Sequence, residues 1–125
     1  MLFFGASIVV CNLTDFDAFK KFPEMIQRFG VTHLTFSPSG FKNFFRVYSK
    51  DQMAQLNRNL DCVMLAGEVF DKKIFDEWRE NGHHYRLLNL YGPTEATVYA
   101  TVHELMPGAV YDSSIPIGQC LEDCV

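Results

Sequence analysis

The chain has 125 residues, 48% of them hydrophobic, and a formal net charge of −4. That suffices for one hydrophobic core and not for two ordinary domains, and the scattered lysines and arginines form no basic stripe, which excludes a nucleic-acid footprint. The apolar opening Met1 to Val10 has no basic leader and is too short to span a bilayer, so it is expected as core, with no membrane role.

Within that opening, Ala6 to Cys11 holds Ile8, Val9 and Val10 and is β-like. Phe22, Met25, Ile26 and Phe29 then share one helical face, with Pro23 in the first turn and Gly30 at the stop. Val31 to Phe36 is again strand-like. Pro38 opens a segment in which Phe41, Phe44, Phe45 and Tyr48 recur at helical spacing. Asp61 to Ala66 is a continuous apolar run of the kind buried on both faces. Asp71 starts a helix that turns Ile74, Phe75 and Trp78 toward the core. Arg86 to Leu90 supplies the next strand, which the pair Gly92-Pro93 must end.

Strands alternating with helices predict an α/β fold of parallel strands joined by right-handed crossovers. Ligands in such sheets sit beyond the carboxyl ends of the strands. The segments leaving those ends start at Ser37, at Gly67-Glu68 and at Tyr91 to Glu95.

Cys11 and Cys62 lie in or beside apolar runs, where a reduced thiol packs as a small hydrophobe, so a reducing, cytoplasmic setting is expected. Cys120, Cys124, His83 and His84 match no common zinc spacing, and the two histidines beside Gly82 are expected in a solvated loop. Leu121 to Val125 carries no terminating signal, and Met1 leads straight into apolar sequence, so residues 1–125 are expected to be an internal piece of a longer domain.

After the last strand, Tyr91 offers a flat π face, Thr94 a hydroxyl and Glu95 a hard carboxylate suited to Mg²⁺. The same residues also fit a core aromatic, an N-cap and a first-turn carboxylate. The stretch NLYGPTEATVYAT, Asn89 to Thr101, resembles the signature of adenylate-forming enzymes, most closely the amino-acid-activating adenylation domains of nonribosomal peptide synthetases. MLFFGASIVV, VTHLTFSPS, CVMLAGE and IPIGQCLED resemble further stretches of that family in the same order, so the likeness runs the length of the chain. It implies part of the large N-terminal subdomain of a partial AMP-binding domain, truncated at both ends.

The resemblance also implies chemistry: an amino-acid carboxylate attacks ATP, and the aminoacyl group passes to phosphopantetheine on a peptidyl carrier domain, with a condensation domain in the same protein. By this likeness Tyr91 stacks on adenine, Asn89 and the Ala66-Gly67-Glu68 turn line its edge, and Gly92 gives the backbone its close approach. Thr94 contacts the α-phosphate and Glu95 helps hold Mg²⁺, these two being the catalytic candidates. Thr35, Met64, Ala66, Leu90, Val98 and Tyr99 correspond to positions facing the bound side chain. None of the six carries a countercharge, which implies a small or modest neutral amino acid. Met64, Leu90 and Val98 equally suit plain core.

The family's phosphate loop, its ribose-binding Asp and its catalytic lysine have no counterpart in these residues, and Cys120 stands where a proline is customary. The chain alone is therefore expected not to catalyse adenylation. Another adenylate-forming ligase, such as an acyl-CoA synthetase or a D-alanine carrier-protein ligase, and a non-catalytic remnant remain open readings at this point.

Overall fold

Three of the predicted strands lie side by side in chain order, pointing the same way. The computed structural model describes residues 5–10, 20–93, 95 and 99–121. Its elements are α1 (Phe22–Phe29), β1 (His33–Phe36), α2 (Pro38–Val47), α3 (Lys50–Asn59), β2 (Cys62–Leu65), α4 (Lys72–Glu80), β3 (Arg86–Tyr91), β4 (Thr101–Leu105) and β5 (Gln119–Cys120). They form one five-stranded sheet in the order β1-β2-β3-β4-β5.

The first three strands are parallel and run in step: His33 sits beside Cys62 and Cys62 beside Arg86, while Phe36 sits beside Leu65 and Leu65 beside Asn89. The sheet is mixed, because β4 and β5 are antiparallel to their neighbours. The expectation of parallel strands holds for β1 to β3 and needs this addition. Tyr91 and Thr101 are register partners at the two ends of a short connection, and only an antiparallel neighbour can be reached without a long crossover.

Strand alternation places Leu34, Phe36, Val63, Leu65, Leu87 and Leu105 on one face. Val63, Leu65 and Leu87 there are completely buried. Against this face packs an aromatic cluster: the Phe36 and Phe44 rings are 5.2 Å apart, Phe44 meets Tyr48 edge-on at 4.9 Å, and Phe22 meets Phe44 edge-on at 5.9 Å. Each such side chain fully buried contributes about 1.5–3 kcal/mol, so the phenylalanine pattern is also a source of stability. The side chain of Phe45 lies outside the described residues.

The helix ends follow their local chemistry. Gly30 takes the left-handed conformation (φ +59°) that ends α1, as its position predicts. Asp71 Oδ1 accepts from the Lys73 amide at 2.9 Å and starts α4, whose Ile74, Phe75 and Trp78 are buried as expected. Helix α3 is an element the reading in chain order passes over, although Met53, Leu56 and Leu60 stand at the i, i+3, i+7 spacing of one helical face and are buried. Its other signal is a capping box: the Gln52 amide donates to Ser49 Oγ at 3.3 Å, and the Ser49 amide donates to Gln52 Oε1 at 3.0 Å.

Three expectations fail. Ala6 to Val10 forms no strand and is exposed, with Val10 91% accessible, because a strand needs a paired neighbour and none of the described residues pairs with it. Cys11 lies outside the described residues. In α1, Phe29 also faces solvent, so the buried stripe narrows to Pro23 and Ile26. His83 is not in a solvated loop either: it is buried, and its Nδ1 bonds Asn57 Oδ1 at 2.8 Å, whereas His84 is exposed. No helix among the described residues is long and apolar enough to cross a membrane.

The segment before β5 is sewn onto the sheet. Asn89 Nδ2 donates to the Pro116 carbonyl at 2.8 Å, Thr101 Oγ1 donates to the Ile117 carbonyl at 2.7 Å, and the Leu121 amide donates to Ala100. Gly118, at φ +86°, approaches β4 so closely that a Cβ would overlap the Val102 carbonyl. Gly118→Ala is therefore expected to destabilise the fold by about 3 kcal/mol or more, read as a lowered urea midpoint.

Burial, reinforced by His84, pushes the His83 pKa from 6.5 down to about 4. The unfolded chain takes up a proton below pH 6.5 that the folded chain refuses until about pH 4. Stability is thus full above pH 6.5 and falls as pH drops toward 4, by on the order of 2 kcal/mol. Urea midpoints should fall across that window, and His83→Gln should flatten the slope.

Candidate functional site

At the carboxyl ends of β1, β2 and β3 lies a concave cavity of about 390 Å³ lined by Thr35, Phe36, Ser37, Ala66, Gly67, Gly92 and Tyr99. Its place follows from the register, which brings the exits of β1 and β2 to one level and carries β3 on past them to Tyr91. Its shape follows from the residues there: Ala66, Gly67 and Gly92 add almost no side-chain volume. Gly67, at φ +89°, turns the chain away from β2 in a conformation that other residues adopt only with strain. The Ala66 amide donates to the Phe36 carbonyl at 3.0 Å, which joins two walls through backbone.

The cavity thus brings together Thr35, Ala66, Gly67, Gly92 and Tyr99 of the sequence-derived candidates. It adds Phe36 and Ser37, which the residue-by-residue reading did not select. Ser37 carries a legible signal, a serine directly before a proline at a helix start; its Oγ accepts from the Gly40 amide at 3.1 Å.

Other candidates stand nearby without lining it. Met64 pairs with Thr35 across the sheet and so shares its face, one alternation step before Ala66. Leu90 lies further along that face and is buried. Asn89 is on the opposite face, buried, with its amide engaged by Pro116. Tyr91 ends β3 with its ring half-exposed, and Glu95 is exposed. Thr94 and Val98 lie outside the described residues.

Glu68 sits on an exposed turn, and its carboxylate points to α2: Ser39 donates its amide to Oε2 at 3.0 Å and its hydroxyl to Oε1 at 2.8 Å. These bonds, the hydroxyl's first, hold the Glu68 carboxyl below the ordinary glutamate range.

The lining carries hydroxyls, a phenol and backbone groups and no carboxylate, imidazole or amine. Such a wall offers shape, stacking and hydrogen bonds, the means by which a site positions a substrate, and not a proton donor poised at neutral pH. Its volume lies in the range of about 300–1,000 Å³ usual for small-ligand pockets. A flat ring with polar edges fits walls this lean, and the exposed Glu95 carboxylate is a donor of the type Mg²⁺ takes.

The family model described as AMP-binding enzyme matches residues 1–124. Among curated proteins, N-(5-amino-5-carboxypentanoyl)-L-cysteinyl-D-valine synthase of Amycolatopsis lactamdurans is 35% identical over 99 residues, covering 78% of this chain and 2% of that protein. Among solved structures, the N-terminal subdomain of Klebsiella oxytoca NpsA in complex with anthranilyl-AMSN superimposes with a TM-score of 0.68 at 24% identity, covering 92% of this chain and 28% of that one. NpsA-ThdA, an artificially fused adenylation-PCP di-domain from the same organism, gives a TM-score of 0.68 at 22% identity, with 94% and 20% covered. These two likenesses speak to the fold. The chain spans a small part of the length of each relative.

Because Asn89 is buried and fastens the Pro116 segment behind the site, Asn89→Ala is expected to cost about 1–3 kcal/mol in urea unfolding. Thr101→Val, which removes a more exposed bond to Ile117, should cost less.

Proposed function

Since the chain belongs to the AMP-binding enzyme family, we propose that it is part of the large N-terminal subdomain of an amino-acid-activating adenylation domain in a nonribosomal peptide synthetase. The observation that carries this reading is the cavity at the strand ends, where Ala66, Gly67, Gly92 and Tyr99 converge beside the Asn89 to Glu95 signature.

In this reading a carboxylate oxygen of the amino acid attacks the α-phosphorus of ATP and pyrophosphate leaves, giving an aminoacyl-adenylate. The thiol of phosphopantetheine on a peptidyl carrier domain then takes the aminoacyl group and AMP departs. A condensation domain of the same cytoplasmic protein would use the thioester. Tyr91 stacks on adenine and the Ala66-Gly67-Glu68 turn borders its edge, while Asn89, buried on the other face, supports the site from behind through Pro116. Gly92 lets the backbone approach, and Thr94 contacts the α-phosphate. Glu95 would hold Mg²⁺, which supplies charge neutralisation at the phosphates when bound.

The substrate side chain faces Thr35, Ala66 and Tyr99, with Met64 and Leu90 on the same face of the sheet and Val98 assigned to the pocket by the family likeness. A charged side chain would lie there without a countercharge, so a small or modest neutral amino acid fits best. Most of the rate in such chemistry comes from holding reactants in line and stabilising charge, which suits a site of backbone and hydroxyls.

The test is amino-acid-dependent ATP–pyrophosphate exchange by the longer protein that carries this segment. Exchange with a small neutral amino acid is expected, and Tyr91→Ala should raise KM for ATP by about tenfold through lost stacking. A preference for aspartate or lysine would overturn the pocket assignment. The 125-residue chain alone is expected to show no exchange, and robust exchange by it would refute the division of labour proposed.

A further inference from the structure

Helix α2 begins with Pro38, which has no amide hydrogen, so Ser39 and Gly40 are its first donors. Gly40 is satisfied locally by Ser37 Oγ. Ser39 is satisfied from far along the chain: both oxygens of Glu68, 29 residues away, accept from its amide and its hydroxyl. A carboxylate at a helix N-terminus is also favoured by the helix dipole. Ser39 Oγ lies 3.2 Å from Ser37 Oγ, and Ser37 lines the cavity on one side while Gly67, adjacent to Glu68, lines it on the other.

Two bonds therefore span the cavity from outside, where the backbone link of Ala66 to Phe36 spans it from within. A Cβ at Gly67 would meet nothing within 4 Å, and its φ is +89°, so no side-chain packing at this residue holds the turn. We propose that Glu68 is a positioning residue of this site: bonded to Ser39, it clamps the Ala66-Gly67 wall to the start of α2 and sets the cavity width for the bound base. This deepens the proposed nucleotide reading and rests on it for its effect on activity. It assigns Glu68 a role through Ser39, with no direct contact between its carboxylate and the ligand.

The clamp has two bonds, and only removal of the carboxylate takes away both. In the longer protein, Glu68→Ala is expected to raise KM for ATP by about fivefold to tenfold with kcat within about twofold, and Ser39→Ala, which keeps the amide bond, by about twofold to threefold. The double variant should be no worse than Glu68→Ala, and Ser39→Thr, which keeps the hydroxyl, should stay close to the parent. A fall in kcat for Glu68→Ala with Ser39→Ala silent would overturn the clamp and place the carboxylate on the reacting groups. Unchanged KM in both would overturn it as well.

Absence of exchange in the unaltered protein would count against the proposed function and leave the clamp to amide hydrogen exchange in this chain. There the Ser39 amide should exchange faster in Glu68→Ala while the Val63 and Leu87 amides keep their protection. Equal Ser39 rates in both forms would refute it.

Discussion

Everything at the site depends on three parallel strands held in register, with β1 and β2 ending level at Phe36 and Leu65 and β3 running on to Tyr91. A parallel ladder lets neighbouring strands share one direction only if each connection climbs back along the sheet, and here α2 with α3, and then α4, make those returns. With Phe36, Leu65 and Asn89 in one row, the chain leaves β1 and β2 at one level, while β3 runs on through Leu90 and Tyr91 beside β4 before Gly92. The row is held by the apolar face beneath it. Val63, Leu65 and Leu87 have no freedom to slip, because a shift of one residue would turn them to the opposite face and expose the whole set.

The two faces of this sheet have different duties. One face meets the phenylalanine cluster and supplies cohesion. The other bears Thr35, Met64, Leu88, Leu90 and Val102, of which only Leu90 is fully buried. Bulk is concentrated under the sheet, and small residues are concentrated at its carboxyl end. The cavity is the consequence of that division, with aromatic weight at Phe36, Phe41 and Phe44 on one side of β1's exit and Ala66, Gly67 and Gly92 across from it. Polar groups then do fine positioning. Asn89 fastens the chain behind β3, Gly118 lets that chain lie against β4, and Ser39 meets Glu68 across the mouth.

Much of this was legible wherever a single local rule governs a residue. Gly30, Pro38 and Asp71 mark helix ends because left-handed backbone, a missing amide hydrogen and a short carboxylate each suit one position only. Helix α3 carried two local signals, the serine and glutamine box at its start and Met53, Leu56 and Leu60 at helical spacing, and both lay in the sequence. Ala6 to Val10 looked like a strand because β-branched residues favour extended backbone, but propensity does not supply a partner. His83 looked like a loop residue beside glycine, and its burial comes from α3, which brings Asn57 to it from 26 residues away.

The sequence by itself determined the alternation of elements, the helix caps, the apolar faces and the nucleotide-like signature, since each depends on neighbours within a turn or two of chain. Only the tertiary structure decided which residues share the cavity, that β4 and β5 run antiparallel, that Asn89 turns away from Thr35, and that Glu68 serves Ser39. Those outcomes join residues separated by tens of positions. Their partners are chosen by strand register and packing, which no local stretch encodes alone.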